Sequence, residues 1–252
     1  MEQKTYQKNF SKIHSHIIGY DQSRKIKSQK TIAVIKDYFN NDLKNLNVLE
    51  IGCHKGGISF LLSSYFKNYY AIDIDRYAIN IAIKHYQLNN LKFQVGNAES
   101  LNFKDAFFDM VICSHIYKHV PHAEKMMQEI YRVLKKEGVC YFSAANRLNL
   151  MEAHYKLPFL SIIPKPVAHI YLRICNKGKY YYETHLTYWG LKKLVSNFKI
   201  YDYTDKIIKN PQKFAAEDML KDKTLKQRLS ISIYKYFRFL FPTYIWILKK
   251  LT

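Results

Sequence analysis

Leu46-Asn47-Val48-Leu49-Glu50-Ile51-Gly52-Cys53-His54-Lys55-Gly56-Gly57 decides how the rest of the chain is read. A short apolar run leads straight into a glycine and, four residues on, a glycine pair. That is the pattern of a buried strand, a glycine turn and a helix. Such a turn lets backbone approach a ligand closely, and the helix after it offers free N–H groups. Asp73 follows 21 residues after Gly52, at the end of a second apolar run, Tyr69–Ile72. There a carboxylate can accept both hydroxyls of a ribose. A dinucleotide site would need glycine at position 54, which is His54, and Glu50 would repel a pyrophosphate while attracting the ammonium of a methionine moiety. The charge points to S-adenosylmethionine rather than NAD.

The rhythm continues outward. Before the turn, Ile32, Ile35, Tyr38 and Phe39 mark one face of a helix over 29–39. After Asp73, Arg76–Tyr86 reads as a helix, Leu91–Val95 as a strand, Phe107–Cys113 as a strand, His122–Leu134 as a helix and Val139–Ala144 as a fifth strand. Strands alternating with helices predict a parallel sheet covered on both faces. From 146 to 185 the pattern breaks, with Pro158, Pro164, Pro166 and the run Tyr180-Tyr181-Tyr182. A helix returns at 187–197 behind Thr187 as N-cap, then a strand at 198–204. The stretch Leu229–Leu248 is aromatic and apolar, interrupted by Lys235, Arg238 and Pro242. It reads either as a helix packed on the domain or as a segment lying on a membrane.

The net charge of +20 over 252 residues is unevenly spread. Residues 1–37 carry +5, 38–153 +2, 154–193 +6, 194–220 zero and 221–252 +7. The core is nearly neutral and the flanking parts are basic, which suits an acidic partner or simply a solvated basic face. Cys53, Cys113, Cys140 and Cys175 lie far apart without metal spacing and read as reduced core residues. Met1-Glu2-Gln3-Lys4 opens no signal peptide, and no run of about 18 apolar residues could span a bilayer. The expected location is cytoplasmic, with the inner face of the membrane as an alternative. No reading of oligomeric state follows.

The chain resembles the class I S-adenosylmethionine-dependent methyltransferases of the type 11 kind, well over 46–145 and more loosely over 183–204. The first motif is Val48–Cys53, the second Ala71-Ile72-Asp73-Ile74-Asp75, the third Gly96–Leu101 and the fourth Phe108–His115. Arg132–Gly138 resembles the helix exit before the fifth strand. The resemblance implies an α/β Rossmann-like fold, a mostly parallel sheet flanked by helices with an insertion after the fifth strand. It divides the chain into an N-terminal helical arm (1–45), the cofactor core (46–145), a substrate-selecting insertion (146–185), the end of the sheet (186–210) and a basic aromatic tail (211–252). It implies S-adenosyl-L-methionine as cofactor, held by Glu50, Gly52, Cys53, His54 and Gly56 at the turn, Asp73 and Ile74 at the ribose and adenine, Asn97 and Ala98 at the adenine edge, and Ser114 near the sulfonium. The sequence departs from the family at three places. His54 replaces a glycine, Asn97 an aspartate, and Lys136-Glu137-Gly138 a Pro-Gly-Gly turn.

Methyl transfer requires in-line placement of a nucleophile, and a hydroxyl acceptor benefits from a general base. His115, His119 and His154 are the candidate catalytic residues, with His122 also near; the first two lie past the fourth strand, where open α/β sheets bind ligands. Residues 146–160 resemble a subgroup with Asn-Arg, Glu-x-His and Leu-Pro elements, associated with bacterial glycan or lipid-linked products. This implies an acceptor pocket with Arg147 for an anion, Glu152 and His154 for a hydroxyl proton and aromatics for a ring; His185, before the later helix, is a further candidate substrate residue. Lys118 before His119 argues against a metal there. The leading expectation is O-methylation of a sugar, lipid or lipid-linked glycan, with the tail on an anionic membrane. The alternatives are methylation of a soluble small molecule, an RNA-binding protein or RNA methyltransferase, and a non-catalytic cofactor-binding protein. No base-flipping motif or RNA module is present, so nucleic acid is the less expected partner.

Overall fold

A computed structural model describes residues 22–251; the expected arm before Gln22 lies outside the described residues. Helix α1 (Gln22–Tyr38) precedes β1 (Asn47–Ile51), α2 (Gly57–Ser63), β2 (Asn68–Asp73), α3 (Arg76–His85), β3 (Leu91–Val95), β4 (Phe108–Ser114), α4 (Ala123–Val133) and β5 (Leu134–Ala145). Then come α5 (Lys165–Ile174), α6 (Tyr188–Leu194), β6 (Phe198–Asp202), α7 (Tyr203–Lys209), α8 (Leu225–Phe237) and β7 (Thr243–Lys250). The strands form one seven-stranded sheet in the order β3-β2-β1-β4-β5-β7-β6. The first five are parallel, and β7 runs antiparallel to both β5 and β6.

Alternation along the strands feeds two cores. Leu49, Val111 and Cys113 face one side with Met126, Ile130 and Leu191, whereas Val48, Met110 and Ile112 face the other with Ile35 and Leu62. Ile51 sits beside Ile72 and Cys113 in register. Gly52, Asp73 and Ser114 therefore leave the sheet at one edge, where the parallel strands all end. Local signals hold the helices in place: the Asp75 carboxylate accepts from the N–H groups of Tyr77 and Ala78, and the Thr187 hydroxyl accepts from Gly190.

Three features differ from the sequence reading. Strand β5 begins at Leu134, five residues early, because Leu134 pairs with Phe108 before a register shift toward Met110. The shift passes through Glu137 at φ +64, the residue that replaces a glycine of the familiar turn. The insertion is a packed unit, with α5 entered through Pro164 and Pro166 and a small core of Leu157, Leu160, Ala168, Leu172 and Tyr181. The largest correction concerns the tail. Of the 229–248 stretch, 229–237 is helix as expected, within α8 and packed on the domain through Tyr234, whereas 243–250 is neither helix nor membrane segment but a strand inside the sheet, with Trp246, Ile247 and Leu248 buried. Pairing on both edges and burial on both faces explain why this strand reads as a near-continuous apolar run.

Candidate active site

The glycine turn is a sequence of left-handed residues: Gly52 at φ +80, His54 at +51 and Gly56 at +79. A Cβ on Gly52 would lie 2.1 Å from Cδ1 of Ile116, so the turn needs glycine on steric as well as dihedral grounds. His54, where the family has glycine, takes a left-handed angle that glycine adopts more easily, and its N–H donates to Asp73 Oδ2 at 2.7 Å. Asp75 N–H donates to Asp73 Oδ1 at 2.9 Å. One carboxylate thus ties the end of β2 to the glycine turn. Glu50 is buried, and among the described residues its hydrogen bonds, from Ser59 Oγ at 2.6 Å and Tyr69 Oη at 2.9 Å, both fall on Oε2. Burial raises the pKa of Glu50 and of Asp73, opposed in each case by these hydrogen bonds.

Two carboxylates beside a glycine cradle suit a cationic nucleoside better than a pyrophosphate. The residues present therefore fit S-adenosylmethionine, for which Asp73 would take the ribose and Glu50 the amino acid end. Cys53 is buried beneath the turn, Ile74 is half-buried after β2 and Ala98 is buried after β3. Asn97 uses its side-chain oxygen to accept from Glu99 N–H at 2.9 Å, so its loop is locked by the residue expected at the adenine edge.

Across the sheet edge stands the second half of the site. Ser114 is exposed at the end of β4, and His115 follows at φ +60 with Nε2 3.0 Å from Ser143 Oγ. Burial pushes the His115 imidazole down to about 3, and Lys118 and Lys27 act in the same direction. Burial lowers His119 as well, so both rings are neutral near pH 7. The His119 and His154 rings meet edge to face with centroids 5.3 Å apart. Glu152 Oε2 accepts from the N–H groups of His154 and Tyr155 at 2.7 and 2.8 Å, which fixes the shape of this turn. Glu152 Oε1 lies 3.8 Å from Lys118 Nζ and 3.9 Å from His185 Nε2.

The structure thus gathers Glu50, Gly52, Cys53, His54, Gly56 and Asp73 at the turn, and His119, Glu152, His154 and His185 opposite. Arg147 stands apart: it is exposed and its Nη2 donates to Ile162 O at 3.2 Å within the insertion. His122 precedes α4, its N–H donating to Glu99. Buried Asn146, the other half of the Asn-Arg pair, donates to the carbonyls of Phe239 and Phe241 and so anchors the approach to β7. Sequence reasoning missed Lys118, Tyr181 and Glu183, which are buried beside Glu152 and His185. An isolated charge in an apolar context, Glu183 after three tyrosines, was the available signal. No cluster of three or more His, Cys, Asp or Glu among the described residues could hold a metal.

Residues 49–142 match the family of methyltransferase domains. The glycine turn and the acidic end of β2 both lie within that stretch, so the chain carries a methyltransferase domain there. Among its relatives is the phthiotriol/phenolphthiotriol dimycocerosates methyltransferase of Mycobacterium tuberculosis, 36% identical over 110 residues, 42% of this chain and 39% of that protein. The chain thus spans about two fifths of the length of that relative. The ubiquinone biosynthesis O-methyltransferase of Rickettsia bellii is 29% identical over 177 residues, 66% of this chain and 71% of that one. The fold is shared with a solved protein of Pyrococcus horikoshii, at a TM-score of 0.63, 18% identity and coverage of 97% and 99%. It is shared too with magnesium protoporphyrin IX methyltransferase from Synechocystis bound to SAH, at 0.58, 14% identity and coverage of 98% and 96%.

Proposed function

We propose that this protein transfers the methyl group of S-adenosylmethionine to a hydroxyl oxygen of a lipid, lipid-linked or other small-molecule acceptor held beneath the 146–185 insertion. The observation that carries the reading is the packing of His119 against His154, the latter pinned through Glu152, at the sheet edge that also bears the cofactor turn. The cofactor supplies an electrophilic methyl, so the chain has to align an oxygen and accept its proton. A neutral imidazole can do the second. His154 is exposed and His119 half-buried, so His154 is the better placed base, with His119 orienting its ring and Ser114 and His115 forming the wall nearest the cofactor. Names among the relatives, one for ubiquinone biosynthesis O-methylation and one for methylating phthiotriol dimycocerosates, favour an oxygen on a small or lipid molecule.

The test is transfer of labelled methyl from S-adenosylmethionine into cell extract, separated into lipid, glycan, RNA and soluble fractions. Label in lipid or soluble molecules, reduced at least tenfold by His154→Ala, is the expected result. Label in RNA alone, or label unchanged by His154→Ala, would overturn the reading.

Val167, Ile170 and Ile174 on one face of α5 are 51%, 54% and 78% exposed, within a stretch of net charge +6. Leu225, Leu229 and Ile233 form a similar exposed row on α8. Apolar rows flanked by lysine and arginine suit an anionic lipid surface. No helix among the described residues is long and apolar enough to cross a membrane. The surface contact therefore belongs to α5 and α8, not to 243–250.

A further inference from the structure

The turn at Glu152 does more than hold His154. Both N–H groups it collects bind Oε2, so Oε1 is aimed into the interior with no hydrogen-bond partner among the described residues. The same holds for Glu183 Oε2, Tyr181 Oη and both ring nitrogens of His185. These side chains come from distant parts of the chain. Thr184 N–H donates to Lys118 O at 2.9 Å, clamping 183–185 against the loop after β4, and Tyr181 N–H donates to His169 Nδ1 at 2.9 Å. Tyr181 and His185 stack with ring planes 7° apart. Glu152 Oε1 lies 3.8 Å from the Lys118 amine, within charge attraction, and 3.9 Å from the neutral His185 ring, and both spacings are beyond hydrogen bonding.

Unsatisfied buried polar atoms are scarce in folded proteins, and a group of them in one place is costly unless something else completes it. The charge within the group narrows what that is. It holds one amine, Lys118, two carboxyls, Glu152 and Glu183, and an imidazole that burial keeps uncharged with its pKa at about 3, while a second amine, Lys165, sits over the Tyr181 ring and donates to the Tyr181 and Tyr182 carbonyls. A phosphate or carboxylate would face both glutamates, and an ammonium would face the lysine. A hydroxyl group fits both, donating to a carboxylate oxygen while accepting from Lys118 or Tyr181.

Building on the methyl-transfer reading, we propose that Lys118, Glu152, Tyr181, Glu183 and His185 form a recognition socket for a neutral, polyhydroxylated part of the acceptor. The socket adjoins His119 through Lys118 and His154 through Glu152, so hydroxyls bound there lie next to the proposed bases. Arg147, expected to read an anion, lies outside it.

The experiment uses the full chain with saturating S-adenosylhomocysteine and saturation-transfer NMR. The probes are methyl β-D-glucopyranoside and myo-inositol, against glucose 6-phosphate and glucosamine. The neutral polyols are expected to bind, and Glu183→Gln and the Lys118→Met/Glu183→Gln pair to weaken them about tenfold or more. Glu183→Gln is expected to melt no lower than the wild type, because it removes a buried charge, whereas the pair also strips Glu152 of its cation and is expected to melt lower. Binding of the phosphate or amine in preference, no binding of either polyol, or a marked fall in the melting temperature of Glu183→Gln with polyol binding unchanged would each overturn the socket. A structural cluster filled by water gives that last pattern. Failure of S-adenosylhomocysteine itself to bind would instead strike the methyl-transfer reading.

Discussion

Gly52, His54 and Gly56 alternate with ordinary residues, all three in left-handed backbone, and this turn sets what single substitutions do. Gly52→Ala places a Cβ against Ile116 and a strained angle on alanine together. It is expected to cost about 1–3 kcal/mol in thermal unfolding and to weaken cofactor binding. Asp73→Asn keeps the shape but loses the charge that holds His54 N–H and that we propose for the ribose. Calorimetry should show S-adenosylmethionine binding weakened by about tenfold to a hundredfold, and an unchanged Kd would remove Asp73 from the site. His185 has a folded pKa of about 3 against an ordinary 6.5. The unfolded chain therefore takes up a proton that the folded chain refuses. The contribution of this residue to stability is complete above about pH 6.5 and is lost as pH falls toward 3. Between pH 6.5 and 5 the wild type should lose up to about 1.4 kcal/mol per pH unit more than His185→Gln. Equal pH slopes in the two proteins would exclude a neutral buried ring. At this scale Glu50, Gly52 and Asp73 were legible because their chemistry follows from short spacings along one strand–turn unit. Lys118, Tyr181 and Glu183 were not, because they meet only through the Thr184–Lys118 clamp, a contact between parts of the chain that share no local pattern.

Among the elements, the first five strands and their helices were readable from period and length. The buried strand at 243–250 was not. An apolar aromatic run of this length fits strand and helix alike, and its true partners, Val139–Ala145 and Phe198–Asp202, are set by topology. Thr243–Lys250 also carries Lys249 and Lys250, which point the reader to a surface, yet Lys250 Nζ donates to Leu134 O and Lys249 pairs with Glu137 at the rim of the sheet. Ending the chain after Phe241 should abolish cooperative unfolding and cofactor binding, because β6 loses its place in the sheet. A soluble, cofactor-binding product of that truncation would contradict a structural strand. Trp246→Ala, a milder change in the same strand, should cost about 3–5 kcal/mol with the fold retained.

For the whole molecule, a nearly neutral stretch carries the cofactor turn and basic stretches supply the insertion and α8. Flotation should find the protein on phosphatidylglycerol vesicles at low salt, released as ionic strength rises, and absent from phosphatidylcholine. Aspartates at Val167, Ile170 and Ile174 together should abolish flotation without lowering the melting temperature, since all three side chains are exposed. Wild type that ignores phosphatidylglycerol would end the membrane reading. The placement of β7 between β5 and β6 also reaches beyond the finished molecule. During translation, Phe198–Asp202 leaves the ribosome with no neighbouring strand to join, and β5 waits with one long apolar edge open until Thr243–Lys250 arrives. A nascent chain halted anywhere in that interval displays an edge that templates aggregation. A premature stop codon there yields a substrate for chaperones and proteases, even though every residue of the cofactor turn has already been made.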